Sequence, residues 1–317
     1  MTLTILKSGS LTTIQDTGRP GVQSLGIPPS GAMDRFALRI ANRCVGNESN
    51  AACLEFTLIG PTIEFDEETT IALTGANFNT MTEHDSLPVP LNRAVHLAAG
   101  AVLKIGAAID GARGYLSIQG GIDVPLIFGS RATYLPAAIG GYHGRRLQQG
   151  DRLVCRSVNM SKDMSSPIRC WRGAANGTLN HMQRLRVFPS SQTDFFSEKE
   201  LKDFFAQVYT LRPDSDRMGI KLAGLPLTLL RPTDISSEAS LPGNIQITPG
   251  GLPIILGQDC PTTGGYAKIG TVFASDFGAL AYLRPGDRVM FSPSTLDAAR
   301  TSSLLKTQEI DEGFAQI

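Results

Sequence analysis

LQQGDRLV (Leu147–Val154) comes back as LRPGDRVM (Leu283–Met290). Each copy sets glycine and aspartate, both turn residues, ahead of a strand-prone run, and so looks like the turn into a last barrel strand. A second echo, DTGRPG (Asp16–Gly21) against DSDRMG (Asp214–Gly219), shares the spacing D-x-x-R-x-G. The two pairs together favour duplication of one β unit, with an insertion in the first copy. Between them, VNMSKDMSSPIRCWRGAANG (Val158–Gly177) is polar, poor in alternation and rich in Ser, Pro and Gly. It marks a boundary. The expected organisation is a first β domain over residues 1–160, a linker over 161–182, a second β domain over 183–297 and a polar tail or frayed helix over 298–317.

Length supports two domains, since 317 residues is about twice the usual single-domain size. The 33 glycines and 19 prolines fall at short intervals, with β-prone segments between them. Expected strands are Ile71–Thr74, Val102–Ile105, Tyr115–Ile118, Leu153–Val158, Leu185–Phe188, Ile245–Ile247, Pro253–Leu256 and Arg288–Phe291. Two helices stand out. Met33, Phe36, Ala37, Ile40, Ala41 and Cys44 recur at helical spacing after Ser30-Gly31, which reads as the N-terminal stop. Ser197 with Glu200 forms a capping box ahead of the stripe Leu201, Phe204, Phe205 and Val208. The expected fold class is mainly β, with a few short helices.

Composition removes several classes. The 29 basic and 29 acidic side chains balance, which argues against a nucleic-acid partner. The longest apolar runs are about half a bilayer span, and MTLTILKSGSLTTIQDTG lacks the pattern of a secretion signal. At 18% charged residues the chain is not of disordered composition. The expectation is a soluble, cytoplasmic protein. Five scattered cysteines without a CxxC pair, and four histidines without an HxxxH or HExxH arrangement, give no metal site. The small buried thiols of a reducing compartment account for the cysteines. There is no G-x-x-x-x-G-K-[ST] loop, no G-x-S-x-G elbow and no biotin-carrier segment.

Candidate chemistry falls in loops that combine glycine, hydroxyls and charge. QDTGRPG (Gln15–Gly21) offers the Gln15 amide, the Asp16 carboxylate and the Arg19 guanidinium, although an Asp16–Arg19 pair bracing a turn reads equally well. QGGIDVP and GSRAT (Gln119–Pro125, Gly129–Thr133) present Gly120, Gly121, Ser130, Arg131 and Thr133 as a nest for a carboxylate or phosphoryl oxygen, or else as two ordinary turns. QDCPTTGGYAKIG (Gln258–Gly270) sets Asp259, Thr262, Thr263, Gly264, Gly265, Tyr266 and Lys268 where they would surround an amide or carboxylate, though a double glycine also serves a bulge. Arg217 and Arg113 are anion clamps or structural ion pairs. Glu55 is a pocket carboxylate or a strand-edge charge.

These motifs assemble into a resemblance. TTIQDTGRPGVQSLGIPPSGAMD (Thr12–Asp34), ANRCVGN (Ala41–Asn47), LEFTLIGPTIEF (Leu54–Phe65), ALTGA (Ala72–Ala76) and ARGYLSIQGGIDVPLIFGSRAT (Ala112–Thr133) occur in order. They continue through GRRLQQGD (Gly144–Asp151), SDRMGIKLAG (Ser215–Gly224), GNIQITPGGLPIILGQDCPTTGGYAKIGTV (Gly243–Val272) and LRPGDRVMF (Leu283–Phe291). Nearly the whole chain resembles the biotin-dependent carboxyltransferase A/B-subdomain family, which takes in components of 5-oxoprolinase and allophanate hydrolase and antagonists of a kinase inhibitor. Ala239, Thr248 and Ala267 depart from its usual turn residues.

The resemblance implies two tandem cyclophilin-like β-barrels, without implying prolyl isomerase activity. It further implies an ATP-dependent 5-oxoprolinase complex opening 5-oxo-L-proline to L-glutamate, in which this chain is the C-type component and is active only with its B-type and A-type companion proteins. ATP would be used by the complex, its site on this or another polypeptide, with no metal expected in this chain. Asp16, Glu55 or Asp259 would accept from the lactam N–H, while Arg19, Thr263 and glycine N–H groups would donate to its oxygen. The other readings are a carboxyltransferase component of a urea or amide carboxylase, and a non-catalytic regulator of a kinase inhibitor.

Overall fold

Alternation sets the first strand. In Thr2–Lys7 the second and fourth residues, Leu3 and Ile5, are fully buried while their neighbours reach solvent, as a strand with one covered face requires. The computed structural model describes residues 1–84, 87–156, 169–172, 181–231 and 234–316. Its first strands are β1 (Thr2–Lys7), β2 (Leu11–Gln15), β3 (Cys53–Thr57), β4 (Thr62–Phe65), β5 (Thr69–Thr82), β6 (Ala94–Leu97), β7 (Val102–Ile118), β8 (Arg152–Val154) and β9 (Arg169–Trp171). Then come β10 (Met182–Pro189), β11 (Tyr209–Leu211), β12 (Gly219–Ala223), β13 (Asp234–Ala239), β14 (Asn244–Ile247), β15 (Pro253–Leu256), β16 (Thr263–Tyr266), β17 (Lys268–Val272), β18 (Arg288–Pro293) and β19 (Phe314–Gln316). The α-helices are α1 (Arg35–Cys44), α2 (Glu198–Ala206), α3 (Ala274–Phe277) and α4 (Leu296–Glu312). The fold is mainly β.

Contacts divide the chain into two units, Met1–Arg19 with Ser30–Leu179 and Gln308–Ile317, and Pro20–Pro29 with Asn180–Thr307. The first unit is a half-barrel sheet in the order β2-β3-β7-β4-β1-β8, to which β5 and β6 add through β7. The second closes as β10-β17-β14-β15-β12-β11-β18, with the ribbon β13–β16 as a separate sheet. Ile245, Ile247, Ile255, Val187 and Val289 fill that barrel, each fully buried.

The echoed turns are the same structure twice. Gly150 and Gly286 take φ of 89° and 92°, a conformation that glycine enters without strain. Asp151 Oδ2 accepts from Gln148 N at 2.8 Å, and Asp287 Oδ2 accepts from Arg284 N at 2.8 Å. Each turn then delivers a strand, β8 into the first sheet and β18 into the closure of the barrel. Arg145 reaches the Asp151 carboxylate with two nitrogens, at 2.7 and 2.8 Å, and holds its carboxyl below the ordinary value. A depressed folded value contributes stability that is complete above the unfolded value of about 3.9 and disappears as pH falls through the folded one. Asp151→Asn is therefore expected to flatten the acid limb of the stability–pH curve below about pH 4. Chemical denaturation at pH 3 and pH 7 checks this, and an unchanged acid limb would refute it.

Several sequence expectations change in detail. Ser30-Gly31 is not the helix stop. Asp34 caps α1, accepting from Phe36 N at 2.9 Å and Ala37 N at 3.1 Å, because its short carboxylate reaches the free N–H groups of the first turn. Ser197 Oγ does accept from Glu200 N at 3.2 Å, but Glu200 Oε2 accepts from Thr228 N. Val208 lies beyond α2 and is exposed, whereas Tyr209 is fully buried. Val102–Ile105 and Tyr115–Ile118 are the two ends of one 17-residue strand, β7. The glycines between them are not turn punctuation but sites of close approach and bulging. A Cβ on Gly114 would strike the rings of Phe56 and Phe78.

β8 covers the start of Leu153–Val158, and residues 157 and 158 lie outside the described residues. Most of the expected boundary, Val158–Gly177, also lies outside them. Its described part carries β9, which pairs with β19 at the end of the chain. The stretch from Ala298, read as a tail or frayed helix, lies largely in α4, with Ala299 and Ile310 buried on it.

Candidate functional site

In the first unit the loops after β2 and β7 interlock beneath a cavity. Asp16, at the end of β2, is 5% exposed. Its Oδ1 accepts from Gly18 N at 2.7 Å and from Ser130 Oγ at 2.6 Å, and its Oδ2 accepts from Arg131 N at 2.6 Å. Ser130 Oγ in turn accepts from Ala132 N at 3.0 Å. Arg19, fully buried, donates through Nη2 to Ala132 O. Gln15 donates to Thr13 Oγ1 and Thr133 O, and Thr133 Oγ1 donates to Ile14 O. Glu55 on β3 lies across from Thr13, and its Oε2 accepts from Met33 N at 2.8 Å. Gln15 Oε1 and Ser30 Oγ are buried without a hydrogen-bond partner among the described residues.

Over this cluster lies the segment Ala138–Gly144. Gly140 packs on Ala132 O and the Arg19 guanidinium, and Gly141 on Thr133 Oγ1, so closely that a Cβ at either would overlap them. Both glycines also take positive φ. The segment forms one wall of a cavity of about 450 Å3, with Asp123, Val124 and Arg152–Val154 on its other sides. Chemistry-bearing groups at its edge are Asp123, Tyr142, His143 and Arg152. Tyr142 and His143 meet edge to face at 4.5 Å. Arg131 Nε donates to Val124 O at 2.9 Å, tying the cavity's rim to the Asp16 cluster.

The structure therefore brings together Gln15, Asp16, Arg19, Ser130, Arg131 and Thr133, as a buried layer behind a cavity wall. Gly120 and Gly121 form the turn after β7, where Gly120 N donates to Asn47 Oδ1 at 2.8 Å. Arg113 is half-buried on β7, across from Thr57. The sequence reading missed Gly140, Gly141, Tyr142 and His143. The run GGYHG (Gly140–Gly144) was the signal available.

In the second unit Arg217 and Asp259 form one bidentate buried pair, Nε to Oδ2 at 2.8 Å and Nη2 to Oδ1 at 3.1 Å. Thr262 O accepts from Ser240 N, leading into β16. Thr263, Gly264 and Tyr266 lie on β16 opposite Ala239, Glu238 and Asp234 of β13. Thr263 and Tyr266 are exposed at this ribbon, and Gly265 sits between them in sequence. Burial raises the thiols of Cys53, Cys155 and Cys260, the last two to about 12, so all three stay neutral thiols at neutral pH. Among the described residues no cluster of three or more His, Cys, Asp or Glu forms a metal site, and no helix is long and apolar enough to cross a membrane.

Comparison with known proteins agrees over most of the length. The family described as carboxyltransferase domain, subdomain A and B, matches residues 25–293. The C subunit of 5-oxoprolinase from Haemophilus influenzae is 38% identical over 295 residues, spanning 93% of this chain and 92% of that protein. The C subunit of 5-oxoprolinase from Escherichia coli is 36% identical over 297 residues, spanning 94% and 93%. The crystal structure of Kluyveromyces lactis urea carboxylase superposes with a TM-score of 0.89 at 30% identity over 98% of this chain, which spans 29% of that protein.

Proposed function

Because the chain belongs to the carboxyltransferase domain, subdomain A and B, family, we propose that it is the C subunit of a 5-oxoprolinase. With the A-type and B-type proteins of that enzyme as partners it opens 5-oxo-L-proline to L-glutamate, with ATP hydrolysed by the assembly. One observation carries this reading: the relatives named as the C subunit of 5-oxoprolinase match most of the chain, over 92% and 93% of their own length. Phosphorylation of the lactam oxygen would turn a poor amide into a good electrophile, and the protein's part is then to hold the planar N–H and C=O edge.

Within this reading the two sets of candidates divide by burial. Asp16, Arg19 and Ser130 have hydrogen bonds inside the protein, and Arg131, tied to Asp16 and Val124, joins them. They act as positioning residues that shape the wall of the 450 Å3 cavity. Glu55 does the same for the loop at Met33. Thr263 is exposed on a glycine-flanked ribbon and is the better donor to a developing oxyanion. Removing such a donor costs about 3–4 kcal/mol in hydrolases, a factor of roughly 10²–10³ in turnover.

The test is ATP-dependent glutamate release from 5-oxoproline by the three co-expressed proteins. Omitting this chain is expected to abolish it, and Thr263→Ala to lower turnover at least 100-fold with the fold intact. Glutamate release that continues without the chain would refute the assignment, and a change within twofold would remove Thr263. The likeness to urea carboxylase supports a second reading, carboxyl transfer to an amide. Bicarbonate-dependent incorporation of labelled carbon, in place of glutamate release, would select it.

A further inference from the structure

The face of the second unit's barrel beneath its glycine ribbon holds buried donors that take no part in the roles assigned so far. Gln246 on β14 lies directly across from Lys268 on β17. Ile245 and Ile247, its neighbours, point into the barrel and are fully buried, so alternation turns Gln246 to the opposite face. That face is covered all the same. Gln246 and Lys268 are each 7% exposed and Ser240 is 2% exposed. The cover is Gly264 of β16, which packs so closely that a Cβ there would overlap Gln246 Nε2 and stand 3.0 Å from Ser240 Oγ.

Gln246 Nε2 and Ser240 Oγ are buried without a hydrogen-bond partner among the described residues. Lys268 Nζ stands 3.4 Å from Glu238 Oε2, a long contact to a side chain that is 56% exposed. Glu238 Oε2 also accepts from Gln192 Nε2 at 2.7 Å, and Gln192 Oε1 accepts from Lys268 N at 2.7 Å. Glu238 is the register partner of Gly264, against which the amide and the hydroxyl lie, and its carboxylate meets the Lys268 ammonium.

We propose that this layer binds the carboxylate of a small ligand, with Lys268, Gln246 and Ser240 as its donors and Glu238 as a built-in competitor. An ammonium, an amide N–H and a hydroxyl together suit an oxyanion, and buried donors left unmade are rare because they are costly. Glu238 shows the chemical class: it is a carboxylate already at the edge of the site, anchored by Gln192 at 2.7 Å and meeting Lys268 only at 3.4 Å, so that a ligand carboxylate competes for the ammonium. Where the proposed function holds, the ligand carboxylate is that of 5-oxoproline.

Calorimetric titration of the full chain with acetate, 5-oxoproline and pyrrolidin-2-one, the lactam without a carboxylate, tests this. Acetate and 5-oxoproline are expected to bind, and pyrrolidin-2-one at least 10-fold more weakly. Lys268→Met should weaken both carboxylates about 10-fold or more, and so should Gly264→Ala, whose methyl enters the site while its extended backbone stays allowed. Glu238→Ala should tighten them, a gain that a merely structural role does not produce. Affinities unchanged in both Lys268→Met and Gly264→Ala would overturn the site. Equal binding of the neutral lactam, no binding of acetate, or weaker binding by Glu238→Ala would also overturn it. Thermal melting of each variant confirms folding, and Gly264→Ala carries the test if Lys268→Met unfolds. If acetate follows this pattern while the co-expressed complex releases no glutamate, the oxoprolinase reading fails and the site stands. The converse result removes the site alone.

Discussion

Arg217→Met will lower the stability of the protein by about 3–5 kcal/mol, read as a fall in the denaturation midpoint at constant slope. The variant strands the Asp259 carboxylate, whose side chain is 3% exposed, without the guanidinium that now meets both its oxygens. The backbone repeats the link, because Asp259 N donates to Arg217 O at 3.0 Å and Gly257 N to Met218 O at 2.9 Å. The pair therefore pins the loop before β16 to the strand entry at β12. Desolvating two charges is expensive, so the intact pair adds little over a well-packed apolar pair, and the penalty lies in breaking it. Arg217→Met combined with Asp259→Leu should accordingly recover most of the loss. A single variant that loses less than 1 kcal/mol would refute this account. Turnover, corrected for the folded fraction, should be nearly normal in the double variant, and a deficit there would return one of the two residues to the chemistry.

What sequence made legible follows from how local each signal is. The Gly-Asp turns at Gly150 and Gly286 were readable because glycine at positive φ and an aspartate closing on its own backbone are encoded within four residues. So was the serine cap at Ser197. The start of α1 was misread, since Ser30-Gly31 and Asp34 both carry helix-stop chemistry and only the second lies one residue before the first helical turn. The sequence presents the candidate residues loop by loop, and the contacts between loops are not visible in it. Asp16 with Ser130 spans 114 residues and Arg217 with Asp259 spans 42, and no periodicity reports such pairings. Gly140 and Gly141 escaped notice because their role is negative: they are glycine so that a loop can lie against Arg19, Ala132 and Thr133. Gln246 and Ser240 escaped for a related reason. Gln246 alternates on β14 like any outward polar residue, Ser240 follows β13, and it is the ribbon at Gly264 that covers both.

Asp16→Ala is expected to cost several kcal/mol, because each buried donor left without an acceptor costs about 1–3 kcal/mol. Three donors lose their acceptor at once: Gly18 N, Ser130 Oγ and Arg131 N, at 2.7, 2.6 and 2.6 Å. Asp16→Asn should be less severe in charge but no cure, since one of its two positions must then turn an NH₂ toward a donor. The cavity feels the change through a short chain of contacts. Ser130 Oγ fixes Ala132 N, Ala132 O receives Arg19, and Gly140 and Gly141 lie on Ala132 and Thr133. Loss of Asp16 therefore loosens the wall of the 450 Å3 cavity without removing any group that faces it. In the reconstituted complex this predicts a rise in KM larger than the fall in kcat, as expected when positioning rather than a reacting group is lost. A variant that keeps wild-type KM but loses kcat by 100-fold or more would instead make Asp16 a participant in the reaction. Thermal stability equal to that of the parent would show that its three hydrogen bonds do not hold the loops together.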